Sequence, residues 1–88
     1  MTKQELDNKL TENGLEPKQT YAVENPGWGD VYLIKKLNSS EGYRIYYNER
    51  GKNYLLIETK TIEEAYDFIW NDIMEINSKF KSENNESH

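Results

Sequence analysis

Apolar positions along the chain follow two different periods. Leu6 and Leu10 lie one helical turn apart, and Thr2-Lys3-Gln4-Glu5 just before them has the spacing of a capping box. Gly14 ends this pattern and Pro17 is expected to keep it from resuming, which predicts a first helix of about three turns. At the other end Ile62, Ala65, Tyr66, Ile69, Ile73, Ile76 and Phe80 recur at helical spacing over about five turns. Phe68, Trp70 and Met74 widen that stripe or fall outside it. Thr61-Ile62-Glu63-Glu64 repeats the capping pattern, and its glutamates suit the positive end of a helix dipole.

Between these helices the period drops to two. Strand-like runs cover Thr20–Glu24, the weakest, then Val31–Leu37, Tyr43–Asn48 and Asn53–Thr59. The turn chemistry of 25–30, the polar loop 38–42 and Glu49-Arg50-Gly51-Lys52 separate them. Short strands joined by short turns predict hairpins, hence antiparallel pairing. Alternation places Val31, Leu33 and Leu37 on one side of the second strand, with Tyr32, Ile34 and Lys36 on the other. Tyr43, Ile45 and Tyr47 oppose Arg44, Tyr46 and Asn48, and Leu55 and Ile57 oppose Tyr54, Leu56 and Glu58. One apolar face and one face mixing aromatics with charges suit a sheet covered on one side. The expectation is a single α+β domain over residues 1–81, in the order α-β-β-β-β-α. Its sheet is a four-stranded antiparallel meander with helices on one face, and residues 82–88 form a disordered polar tail.

Composition narrows the setting. The 88 residues allow one core, and although only 35% are hydrophobic, their clustering argues against general disorder. With no cysteine, disulfides, thiolate metal sites and cysteine nucleophiles are excluded. A small domain without disulfide staples fits a reducing interior, and Met1-Thr2-Lys3-Gln4-Glu5 has no apolar run of the signal-peptide kind. No stretch approaches the roughly 20 apolar residues of a membrane helix, so a cytoplasmic location is expected. The net charge of −5 disfavours direct contact with nucleic acid and favours a basic partner, although it serves solubility equally well.

Candidate chemistry is sparse. The one histidine is the terminal His88, where a frayed chain holds no imidazole in place, so neither a histidine base nor a metal or cofactor site is expected. Gly27-Trp28-Gly29 lacks the later glycine and lysine of a phosphate cradle. Glu63, Glu64 and Asp67 read as a solvated helix start. An enzyme working with carboxylates alone would need a deep pocket with convergent acids. Trp28, held between glycines after Pro26, either plugs the end of the core or stands out as an aromatic anchor. Tyr32, Arg44 and Tyr46 on the expected open sheet face are residue types that dominate binding hot spots, and together they suggest a contact surface.

Three segments carry a resemblance: Trp28-Gly29-Asp30-Val31-Tyr32-Leu33-Ile34-Lys35-Lys36, Tyr43-Arg44-Ile45-Tyr46-Tyr47-Asn48-Glu49-Arg50-Gly51 and Thr61-Ile62-Glu63-Glu64-Ala65-Tyr66. Over roughly residues 13 to 73 the chain resembles the small α+β immunity proteins that bacteria encode beside polymorphic toxins. The resemblance implies a non-enzymatic cytoplasmic inhibitor that binds one cognate toxin domain. The expected contacts are Trp28, Asp30, Tyr32, Arg44, Tyr46, Glu49 and Arg50. A second reading is an acidic phage- or mobile-element-encoded regulator that inhibits a nucleic-acid-acting host enzyme by mimicry. The mixed sheet face or an edge strand also leaves room for a homodimer.

Overall fold

The computed structural model describes residues 1–27, 29–38 and 41–86, with side-chain surroundings described as far as residue 76. Helix α1 (Lys3–Glu12) starts at the capping box that the spacing predicts. The Glu5 amide donates to Thr2 Oγ1 at 3.2 Å and the Thr2 amide to Glu5 Oε1 at 2.9 Å. At its other end Gly14 lies at φ +75°. The Leu15 amide then reaches the Leu10 carbonyl at 2.9 Å and the Gly14 amide the Thr11 carbonyl at 3.0 Å. This double closure needs a left-handed residue, which glycine supplies without a Cβ penalty. Pro17 does not keep the chain open as expected. It begins the short helix α2 (Pro17–Thr20), where a missing N–H costs nothing and φ is preset.

The strands β1 (Tyr21–Val23), β2 (Val31–Lys36), β3 (Tyr43–Glu49) and β4 (Lys52–Thr59) lie side by side in chain order. β2, β3 and β4 form the predicted antiparallel meander. β1 instead runs parallel to β2, with Tyr21 opposite Tyr32 and Val23 opposite Ile34, so the sheet is mixed and not wholly antiparallel. Parallel neighbours ordinarily need a crossover of about a dozen residues or more. Here β1 is only three residues long, so the return is short. The chain must regain about 10 Å along the strand and about 5 Å across it. Residues 24–30 can span about 25 Å, which is ample. Glu24 starts the reversal at φ +72°. Its amide still donates to the Ile34 carbonyl at 2.8 Å, and its Oε1 accepts from the Lys36 amide at 3.0 Å. The carboxylate thereby continues the ladder where the strand has stopped.

Pairing between strands overturns the expected faces. Ile34 lies opposite Ile45 and Tyr32 opposite Tyr47, so these four share one face. Val31 and Leu33 lie opposite Asn48 and Tyr46 and share the other. Val31, Tyr32, Leu33 and Ile34 are nevertheless all buried, on a strand that lies between β1 and β3. Between β3 and β4 the register slips: Ile45 pairs with Ile57 and Tyr46 with Leu55, leaving Leu56 as the extra residue of a bulge. Leu55 and Ile57, expected on one side, consequently belong to opposite faces.

Helix α3 (Ile62–Glu86) is capped by Thr61, whose Oγ1 accepts from the Glu64 amide at 3.2 Å. The hydroxyl in turn donates to Glu64 Oε1, so this carboxylate answers the Thr61 side chain. Both long helices cover one face of the sheet. Leu6 and Leu10 of α1 meet Ala65, Tyr66, Ile69 and Ile73 of α3 over Tyr21, Tyr32, Ile34 and Ile45. The expectation of a disordered tail falls on residues whose side chains, and for 87 and 88 all structure, lie outside the described residues.

Candidate functional site

Two surfaces meet at the end of the sheet where β3 turns into β4. The turn itself is Arg50-Gly51, with φ of +53° and +79°. Positive φ at both central residues matches the right-handed twist of a two-residue hairpin. Arginine is an unusual occupant of that conformation, which costs a residue with a Cβ roughly 1 kcal/mol or more. The Arg50 amide donates to Asp30 Oδ1 at 3.2 Å, tying the β1–β2 connection to the hairpin.

On the face away from the helices, Arg44 and Tyr46 follow one another along β3, as expected. Arg44 Nε donates to Glu58 Oε1 at 2.6 Å, and both side chains are about half exposed. The hydrogen bond and charge of Glu58 hold the guanidinium pKa above its ordinary value. Tyr46 lies opposite Leu55. Nearer the turn, Asn48 Nδ2 donates to Asn53 Oδ1 at 2.7 Å. Asp30, Arg44, Tyr46 and Arg50 thus gather along one side. Trp28 lies outside the described residues.

Tyr32 does not join them. Its ring is 6% exposed beneath α3, where it meets Tyr47 edge-on at 5.3 Å and its hydroxyl donates to Asp72 Oδ2. Side chains alternate along a strand, so pairing Tyr32 with Tyr47 commits it to the covered face while Arg44 and Tyr46 point the other way. Burial, then the hydrogen bond and charge of Asp72, raise its pKa far above the usual phenol range. Tyr32 is therefore a fixed donor to Asp72 at neutral pH, neither an acid nor a base.

The covered side carries a feature that the sequence reading missed. An open groove of about 550 Å³ runs between the β3–β4 hairpin and the middle of α3, walled by Tyr32, Tyr47, Tyr54, Leu56, Ile73 and Ile76. Glu49 and Asp72 supply its acidic groups, so the expected contact residue Glu49 belongs to this groove and not to the Arg44 face. Tyr54 is 51% exposed, Leu55 56% and Ile76 54%, and Leu56 and Ile57 are also open to solvent. Large apolar side chains this exposed are unusual on a small globular domain. A signal was present: Asn53–Ile57 is an uncharged run in the last strand of a meander, which has to be a sheet edge.

The groove suits non-covalent recognition. Its apolar walls accept an aliphatic or aromatic anchor, and its two carboxylates complement a basic group. Among the described residues no three acidic or histidine side chains converge as metal ligands do, and no helix is long and apolar enough to cross a membrane. Comparison with protein-family models, curated proteins and solved structures finds no match to this chain.

Proposed function

We propose that this chain is a partner-binding protein that neutralises a cognate bacterial toxin domain in the cytoplasm, as an immunity protein. The observation that carries this reading is the set of exposed apolar side chains Tyr54, Leu56 and Ile76 lining a groove that bears Glu49 and Asp72. Removing such side chains from water drives association, and the flanking acids select a basic counterpart. The resemblance described above adds the toxin. An apolar cluster also favours a shaped protein contact over mimicry of nucleic acid, for which acids would be needed at the contact surface.

The test is co-expression with the toxin encoded beside the gene. A stable complex and protection of growth are expected. Leu56→Asp or Ile76→Asp should weaken the complex at least tenfold, equivalent to about 1.4 kcal/mol. Arg50→Ala and Tyr46→Ala probe the opposite face. Absence of a complex, or unchanged binding in all four variants, removes the proposal.

A further inference from the structure

We infer that the groove between the β3–β4 hairpin and α3 takes an arginine side chain of the partner protein, its guanidinium held by Asp72 and Glu49. This deepens the toxin-binding reading and rests on it, because it names the group that the partner must present.

The composition of the groove sets the charge of its occupant. The chain carries 11 lysines and arginines, yet among the described residues none of them lines the groove, while Glu49 and Asp72 do. Asp72 is half-buried, and its Oδ2 accepts from the Tyr32 hydroxyl, which fixes the carboxylate. Among the described residues nothing donates to its Oδ1 or pairs with its charge. Glu49 also lacks an ion pair among the described residues, although Lys52 lies opposite it across the turn. Burial, then the charges of Asp30 and Glu49, raise the pKa of Tyr47, so the potential at this end of the groove is negative. Two uncompensated carboxylates beside apolar walls attract a cation and repel an anion.

The walls choose among cations. Tyr54 lies opposite Tyr47 across the hairpin and is half exposed, so its ring is open to a charged group. An ammonium is a compact point charge that holds its water tightly. A guanidinium is weakly hydrated, stacks on an aromatic face, and has five donors to share between the carboxylate on β3 and the one on α3. The methylene stem of arginine suits the apolar wall of Leu56 and Ile73. Ile76 stands 54% exposed at the margin, so apolar neighbours of the arginine are needed to cover it. A protein segment supplies both the charge and those neighbours; a free amine supplies only the charge.

Amide chemical shifts of the full chain, followed on titration with a capped leucine–arginine–leucine tripeptide, test this. Shifts clustered at Tyr47, Glu49, Tyr54, Asp72 and Ile76 are expected, with a Kd of about 1 mM. The citrulline tripeptide has the same shape without the charge and should bind about tenfold more weakly, the lysine tripeptide about threefold. Asp72→Asn keeps an acceptor for Tyr32 and Glu49→Gln lies at an exposed site, so the double variant should keep its thermal melt. It should nevertheless lose about tenfold in affinity for the arginine tripeptide. No shifts in the groove, equal binding of the citrulline or lysine tripeptide, or a double variant that binds as the parent does, overturns the inference. With the toxin domain, a complex that Leu56→Asp breaks and the double variant leaves intact also overturns it, while the toxin reading stands. A toxin that does not bind removes that reading, and the tripeptide series then decides the arginine site by itself.

Discussion

Arg50 occupies a conformation that asparagine or glycine adopts at far lower cost, and the Asp30 carboxylate on its amide helps hold it there. Arg50→Asn is therefore expected to stabilise the fold by about 0.5–1 kcal/mol, read from urea denaturation. Gly51→Ala should destabilise it by about 1 kcal/mol, although nothing lies within 4 Å of the added methyl, because the penalty is in the backbone. Equal effects from the two substitutions would contradict this geometry. Buried phenols set a second residue-level expectation. Burial first, then hydrogen bonds to Asp7 and Asp72, raise the pKa of Tyr21 and Tyr32, and burial also raises Tyr47 and Tyr66. A group whose folded pKa is raised contributes stability that is whole below its unfolded pKa and is lost as pH rises through the folded value. The urea midpoint should hold through neutral pH and fall above about pH 10, where unfolded tyrosines ionise. An unchanged midpoint at about pH 11 would contradict the burial of these rings. At acid pH Asp7 acts oppositely. Burial opposes its charge, but the hydrogen bonds from Lys3 and Tyr21 outweigh it and lower the pKa, so its contribution is lost as pH falls through the folded value.

At the scale of elements, the helices carry most of the closure of the core. Leu10 is fully buried between α1, α3 and the sheet. Leu10→Ala should cost about 2–5 kcal/mol, the range for emptying a packed site. Leu55→Ala, on the exposed edge, should change stability by no more than about 0.5 kcal/mol. Chemical denaturation of the two variants checks the contrast, and a large loss at Leu55 would place that residue in the core. The capping box of α1, the Thr61 cap of α3, the Gly14 stop and the two antiparallel hairpins were legible because each depends on residues within a few positions of one another. The parallel placement of β1 was not. It depends on how residues 24–30 return, and the deciding contact joins Glu24 to Lys36 across the sheet. Pro17 was read as a barrier when it is the start of α2, since proline excludes the interior of a helix but not its first turn.

For the whole molecule, the apolar surface is distributed unevenly. α1 and the first half of α3 seal their side of the sheet, while β4 and Ile76 leave an apolar margin open beside Glu49 and Asp72. By itself the sequence determined the two long helices and where they start, the Gly14 stop of α1, and that β2, β3 and β4 form hairpins. Those properties follow from short-range periodicity and turn chemistry. Only the tertiary structure decided which faces coincide, because alternation sorts the sides of each strand but not the pairing between strands. One register places Tyr32 under α3, away from Arg44 and Tyr46, and one bulged residue, Leu56, separates Leu55 from Ile57. The groove and the open edge arise from those pairings, where residues distant in the chain come together.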